Sequence, residues 1–430
     1  MKIMEEVLKK IKPSEEEERK LREIVNELEE KIKKWLPSDA ELMLVGSVAK
    51  GTYLKNSLDV DFFILFPRDY EKKEMEEIVV EIGKKILDKH RIQYAEHPYI
   101  RGFYKHYQVD IVPCYKIKRI EEMKSAVDRT PFHTQFVKNS MNEKMKDETR
   151  LLKQFLKGIG CYGAEAKIEG FSGYLAELLI IKYGGFVEVV KNAAKWKGKI
   201  FLKLNGGRKK FPERFVFIDP VDANRNVAAA VADEKLNIFI QACRDFLKKP
   251  SIKFFFPDAP PKLSIKEIEK KLENFVGICF KKPSVIDDIL YPQLKKAAKS
   301  LENLFIQYDF EPLRKVWHTN KEAFVLIELR SKKIEKEKVH MGPPLKAKKH
   351  VEKFKMKWGE RIFEKDGRIW AKIEREYTNA EHLLKDKLNE LSLGKNIDEV
   401  KKEIKICGKE TACHIEFWSE FFCPLPPWKR

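Results

Sequence analysis

Long apolar runs are missing from this 430-residue chain. The most apolar stretch, around Leu178–Ile181, stops at Lys182, far short of the roughly 20 residues a membrane helix needs. No membrane partner is expected. The opening MKIMEEVLKK is charged rather than apolar, so no signal peptide is expected either. Cysteine is scarce: the seven at positions 114, 161, 243, 279, 407, 413 and 423 form no C-x-x-C pair and no even framework. Cys407, Cys413 and His414 fit no common zinc pattern. The expectation is a cytoplasmic protein with reduced, buried thiols. Internal repeats of useful length are also absent.

Charge is plentiful and unbalanced. Eighty-six lysines and arginines stand against 67 acids, a formal net charge of +19. A soluble chain this basic most often meets a polyanion, nucleic acid before anionic membrane. A merely solvated Lys/Glu surface, as in heat-adapted proteins, ranks second because it would lie nearer balance. With 43% hydrophobic residues the chain can bury substantial cores, and its length suggests about two to four domains.

Patterning divides the chain. In PSEEEERKLREIVNELEEKIKKWLP, Ser14 is placed to cap a helix whose Leu21, Ile24, Leu28, Ile32 and Trp35 keep helical spacing. Acids crowd its first turn and lysines its last, as the helix dipole favours. Short apolar runs at 41–45, 60–66 and 109–112, with a helical segment near 73–88, predict a mixed module over residues 1–145. Residues 146–255 read mostly as helix. The proline-rich PSIKFFFPDAPPK marks a boundary. Beyond it, residues 256–430 mix strands such as NFVGICF with helices such as YPQLKKAAKSLENLF. The fold class is α+β, multidomain.

The segment GSVAKGTYLKNSLDVD, residues 46–61, poses the chemical question. In a strand, side chains alternate faces, so Asp59 and Asp61 project together and Val60 and Phe62 oppose them. Two carboxylates so close repel, and one protonates near neutrality unless a cation intervenes. Hard oxygen ligands suit Mg²⁺. Two such ions about 4 Å apart would clamp the attacking and leaving oxygens of a phosphoryl displacement. Asp110, in the strand-like YQVDIVPCY, offers a third carboxylate. A lone D-x-D on an exposed edge strand would mean nothing, but here a Gly-Ser turn after the run Leu42–Val45 precedes it.

That combination resembles the nucleotidyltransferase superfamily of DNA polymerase beta and poly(A) polymerase. In those enzymes the Gly-Ser turn, here Gly46 and Ser47, opens a helix that holds nucleotide phosphates. Further words, among them LVGSVAKGTYLKNSLDVDFFILFP, YAEHPYIRG, VDIVPCYKI, SAVDRTPFH, RLLKQFLKGIGCYGAE, GFSGYLAELLI and DPVDANRNVAA, are similar to the archaeal, class I, CCA-adding enzymes. These are tRNA nucleotidyltransferases. The resemblance implies a polymerase beta-like catalytic domain at 1–145, a helical central domain at 146–255 completing the nucleotide pocket, and an RRM-like body and tail at 256–430. It implies that Asp59, Asp61 and Asp110 bind two Mg²⁺ ions, with Asp110 helping to activate the tRNA 3′-hydroxyl. Ser47 and Lys50 would meet the triphosphate. Many relatives carry arginine at position 50; lysine keeps the charge and loses the fork. His133, Lys153 and Tyr162 match further nucleotide contacts, and Arg225 the arginine that reads the incoming base. By their chemistry Lys153 and His133 suit a polyphosphate and Tyr162 a ribose or phosphate oxygen; without the motif, His133 reads as a structural loop histidine, Lys153 as a solvated helix lysine, Tyr162 as a core aromatic and Arg225 as a capping or inter-domain salt bridge.

The implied partners are tRNA, held by its acceptor stem and upper half, with CTP and ATP as substrates. Dimerisation of relatives admits a homodimer. NAAKWKGKIFLKLNGGRKKF and PPLKAKKHVEKFKMKWGERIF interleave lysines with Trp196, Phe201, Trp358 and Phe363, a composition suited to phosphate contact and base stacking. The alternatives are poly(A) or terminal-uridylyl transfer by the same superfamily, and a non-catalytic RNA-binding protein.

Overall fold

The computed structural model describes residues 2–55, 59–94, 98–206 and 209–430, with Tyr94 described by its backbone alone. Residues 56–58, 95–97 and 207–208, parts of GSVAKGTYLKNSLDVD, YAEHPYIRG and NAAKWKGKIFLKLNGGRKKF, lie outside the described residues. Two compact units result: Met1–Ala259 together with Leu425–Arg430, and Pro260–Pro424.

The first unit begins with α1 (Lys2–Ile11) and α2 (Glu15–Lys33). Ser14 caps α2 in a reciprocal box with Glu17. Leu21, Ile24, Leu28 and Ile32 are buried as their spacing predicts, but Trp35 is 54% exposed. It lies beyond the last helical residue, where helical phase no longer sets its direction, and its ring sits beneath Lys85 Nζ at 3.8 Å. A sheet then forms from β1 (Glu41–Val45), β2 (Asp59–Phe66), β3 (Asp88–Tyr94), β4 (Pro98–Tyr104) and β5 (Tyr107–Tyr115). The short α3 (Gly46–Lys50) follows β1, and α4 (Lys72–Ile86) follows β2. Strand order is β1-β2-β5-β4-β3, with β2 and β5 parallel and the other pairs antiparallel.

One sheet face packs Val60, Phe62, Ile64, Val109 and Ile111 against α2 and α4. The opposite face is apolar at Phe63 and Cys114, and acidic at the other end of the same strands.

Helices α5 (Thr130–Ser140), α6 (Glu143–Gly158), α7 (Gly173–Tyr183), α8 (Phe186–Ala193) and α9 (Asp233–Lys248) build a second core in this unit. A parallel pair, β6 (Ile200–Leu202) with β7 (Phe215–Phe217), interrupts the expected, mostly helical run. Trp196 packs on Phe215, whereas Phe201 is 45% exposed. Phe254 and Phe255 of PSIKFFFPDAPPK are buried in this core, so the chain leaves the unit just after them.

The second unit comprises α10 (Ile265–Lys271), β8 (Phe275–Lys281), α11 (Asp287–Gln307), β9 (Pro312–Thr319), β10 (Glu322–Leu329), β11 (Glu337–Pro344), α12 (Lys348–Trp358), β12 (Ile362–Lys365), β13 (Arg368–Glu374), α13 (Ala380–Lys387), α14 (Lys395–Glu399), β14 (Lys405–Cys407) and α15 (Ile415–Phe421). An antiparallel sheet, β14-β8-β10-β9, packs α11 and α13 on one face and α10 and α15 on the other. A smaller sheet, β11-β13-β12, carries α12, where Phe354 stacks on His340 and Trp358 lies nearby.

The cysteine expectation is corrected here. β14 pairs with β8 and joins Cys279 to Cys407 in a disulfide across 128 residues of sequence. Strand pairing at that separation leaves no local trace. Cys114, Cys161 and Cys243 are buried thiols as expected, but Cys413 is exposed and Cys423 partly so. No helix among the described residues is long and apolar enough to cross a membrane.

Candidate active site

Strand alternation sets Asp59 and Asp61 on one face of β2, while Val60 and Phe62 are fully buried on the other. The parallel neighbour β5 places Asp110 directly opposite Asp61, and Gln108 opposite Asp59. β1 ends at the same level, Val45 pairing with Asp61, and the chain turns through Gly46 and Ser47 into α3. Three acids and the Gly-Ser turn therefore meet at one end of the sheet. Burial first, then the charges of Asp110 and Asp59, push the Asp61 carboxyl up to about 7.

Gly46 is required at this turn on two counts. Its φ is +72°, and a Cβ there would stand 2.0 Å from Asp61 Oδ2. Gly46→Ala is expected to displace Asp61 and lower catalytic turnover about 100-fold, the order that a misplacement of about 1 Å costs. Gly51 shares the backbone strain, with φ at +69°, but a Cβ there meets only the flexible Lys146 side chain, at 3.3 Å. Gly51→Ala should cost much less. Equal losses in the two variants would show that the approach to Asp61 is unimportant.

The acids already have partners. Arg101 on β4 is the register partner of Asp110, and its Nε and Nη2 donate to Oδ1 and Oδ2 at 2.7 and 2.6 Å. The Gln108 amide donates to Asp59 Oδ1 at 2.9 Å. Among the described residues, no three His, Cys, Asp or Glu side chains are gathered tightly enough to hold a metal as they stand. The donor set nevertheless suits a hard divalent cation. It is all carboxylate oxygen, crowded enough to hold Asp61 above its ordinary carboxylate range.

A cationic cluster lies within electrostatic reach of Asp61. Lys50, from the last turn of α3, is almost buried and donates to Glu177 Oε2 at 2.6 Å. Lys153 on α6 donates to Glu177 Oε1 at 3.2 Å, and to Thr52 Oγ1 and the Thr52 carbonyl at 3.0 and 3.2 Å. The Thr52 hydroxyl donates to Glu177 Oε1 at 2.6 Å. Glu177, on α7, is fully buried. Burial alone would raise its carboxyl, but the Lys50 and Lys153 charges, then hydrogen bonds from Lys50 and Thr52, bring it down to about 2. Tyr162 and Lys153 both flank Gly173 at the start of α7.

One turn before Glu177, Tyr174 links this cluster to a second. Lys50 Nζ lies 5.8 Å from the centre of its ring, and the His133 ring stacks on it at 4.0 Å. The Tyr174 hydroxyl donates to Asp219 Oδ1 at 3.1 Å. Asp219 Oδ2 receives His133 Nε2 at 2.8 Å and Arg225 Nη1 at 2.9 Å. Burial opposes ionisation of Asp219, yet the hydrogen bond and charge of His133, with help from the Val221 N–H and Arg225, hold its carboxyl below the usual range. Burial lowers the His133 pKa, against the pull of Asp219.

All ten residues singled out from the sequence thus fall in the first unit, in three groups. Gly46, Ser47, Asp59, Asp61 and Asp110 share the sheet end. Lys50, Lys153 and Tyr162 surround the start of α7, and His133 and Arg225 share one carboxylate. Sequence reasoning missed Thr52, Arg101, Tyr174, Glu177 and Asp219. Glu177 alone left a signal: an acid inside the apolar run Leu175–Ile181 is costly unless partnered.

The fold is that of a nucleotidyltransferase: residues 19–137 match the family described as nucleotidyltransferase domain, a family that uses divalent metal ions. Residues 147–256 match "tRNA nucleotidyltransferase, second domain", and 273–408 match "CCA-adding enzyme, C-terminal domain". The CCA-adding enzyme of Archaeoglobus fulgidus is 40% identical over 409 residues, covering 93% of each chain. That of Methanosarcina mazei is 39% identical over 430 residues, covering 95% of this chain and 94% of its own. A crystal structure of the Cid1 poly(U) polymerase aligns at 18% identity and a TM-score of 0.45, over 58% of this chain and 94% of its own. The chain belongs to the CCA-adding enzymes. This relation does not favour the homopolymer-transferase or non-catalytic alternatives.

Proposed function

We propose that the chain completes tRNA 3′ ends with C, C and A, taken from CTP and ATP without a nucleic-acid template, and releases pyrophosphate. The observation that carries this reading is the placement of Asp110 opposite Asp61, beside Asp59 and against the Gly46–Ser47 turn. Asp59, Asp61 and Asp110 would hold two Mg²⁺ ions, which supply charge neutralisation at the attacking and leaving oxygens of the displaced phosphoryl group. Asp110 must exchange part of its Arg101 fork to take part, and in this reading it helps to activate the tRNA 3′-hydroxyl. Ser47 offers its hydroxyl to the triphosphate.

Lys50 gives one of its three N–H donors to Glu177, which leaves two for phosphate oxygens. Lys153 has all three engaged, so it serves through its charge. Tyr162 presents a phenol kept protonated by burial, a donor for a ribose or phosphate oxygen. His133, a further nucleotide contact in this reading, shares Asp219 with Arg225, which would read the incoming base. Incubation with tRNA lacking its CCA end, plus CTP and ATP, followed by sequencing, tests the reading. CCA ends are the expected product; homopolymer tails or unextended tRNA would refute it.

The second unit grips the acceptor stem and upper half of the tRNA in this reading, in the cytoplasm, and light scattering would test for a homodimer. Lys346, Lys348 and Lys349 are exposed at the start of α12. If phosphate contacts dominate, tRNA affinity should fall by about 10³–10⁵ between roughly 50 and 200 mM salt. Alanine at each lysine should flatten that dependence by about one unit of log slope. Affinity unaffected by salt would overturn the assignment.

A further inference from the structure

We propose that Asp219 is a specificity-setting positioning residue: its carboxylate fixes the Arg225 guanidinium in the one orientation that reads cytosine and adenine against uracil and guanine. The inference rests on the reading that Arg225 meets the incoming base. Asp219 is 1% exposed and comes from the segment just after β7. Its two oxygens are tied by four donors from three elements. Oδ1 takes the Tyr174 hydroxyl and the Val221 N–H, both at 3.1 Å, while Oδ2 takes His133 Nε2 and Arg225 Nη1. Four donors restrict the rotation of this carboxylate, and Arg225 is anchored to it through Nη1.

The geometry leaves the arginine half free. A guanidinium has five N–H donors in a fixed fork, and Asp219 takes one through Nη1. The side chain is one-third exposed and borders a cavity of about 460 Å³, lined also by Arg129, Phe211, Glu213 and Asp222. That volume lies within the range of about 300–1,000 Å³ typical of small-molecule sites. Of these lining residues, Arg129 Nε faces Asp222 Oδ2 at 3.6 Å, while Glu213 Oε2 has no hydrogen-bond partner among the described residues.

Cytosine and adenine both present a bare ring nitrogen beside an exocyclic amine; uracil and guanine present a ring N–H beside a carbonyl. A donor held opposite the ring nitrogen suits the first pair and meets an N–H in the second. A donor free to swing could reach the neighbouring carbonyl oxygen and would accept all four bases. The Asp219 tether decides between these cases, so its loss should cost selectivity more than it costs turnover.

The test measures kcat/KM for each of the four nucleoside triphosphates with the full-length enzyme and truncated tRNA. Arg225→Ala, Asp219→Asn, Asp219→Glu and the double variant Asp219→Asn/Arg225→Ala are compared. Asp219→Asn should lower the preference for CTP over UTP about 10- to 100-fold, the loss expected when a polar readout goes unpaired. The double variant should be no less selective than Arg225→Ala alone. Unchanged selectivity in Arg225→Ala would refute the underlying reading of Arg225. Altered selectivity there, with Asp219→Asn like the parent, would refute the role of Asp219 alone. Should Asp219→Asn fail to fold, Asp219→Glu decides. It keeps the charge and shifts the carboxylate by one methylene, so selectivity must fall if the placement of Arg225 by this carboxylate matters and survive if charge alone does.

Discussion

Alanine at Asp61 is expected to reduce nucleotide transfer by on the order of 10³-fold or more, with tRNA affinity and thermal stability close to those of the parent. The several kcal/mol attributed to metal-borne charge stabilisation set that scale. Asp59→Ala and Asp110→Ala should behave alike, because all three are proposed to hold metal rather than RNA. Asp61→Ala also relieves crowding, since its carboxyl already stands near 7, and this argues against a loss of folding. Asp110→Ala differs in one respect: it strands Arg101, whose fork it accepts, so a modest stability loss should accompany it. Primer extension beside a gel shift reads both quantities. Extension near the parental rate by any of the three would remove that acid from the catalytic set.

The second large effect concerns stability. Glu177→Gln should destabilise the first unit by about 3–5 kcal/mol, the cost of leaving a buried charge without its partner. Lys50 and Lys153 would then confront each other, both nearly buried, with no carboxylate between them. The Glu177 carboxyl is depressed to about 2 from its ordinary 4.5. Its contribution is therefore complete above about pH 4.5 and fades as pH falls toward 2. The gap between parent and variant, measured by urea unfolding, should be full at pH 7 and begin to narrow near pH 4. Equal stability at pH 7 would show that the lysines are solvated or mutually distant. A gap that widened on acidification would contradict the sign of the shift.

Much of this site was legible in the chain itself, for a local reason. A strand repeats every two residues, so D-x-D places two acids on one face wherever the strand goes, and Val60 and Phe62 on the other. A glycine at a turn needs only its neighbours to declare itself, and Ser14 with Glu17 caps α2 within three residues. The family words carried the order of the ten site residues. What they did not carry was which groups hold those residues in place. Glu177 lies 127 residues from Lys50, Asp219 lies 86 from His133, and Arg101 meets Asp110 only because β4 and β5 pair in that register. Cys279 and Cys407 are joined by a strand pairing just as remote. Trp35 kept the helical phase in sequence and lost it one turn later in space, because the helix had ended. Local periodicity determined the elements and their faces; only tertiary packing decided which charges meet, since burial and counter-charge are properties of the assembled interior and not of any single segment.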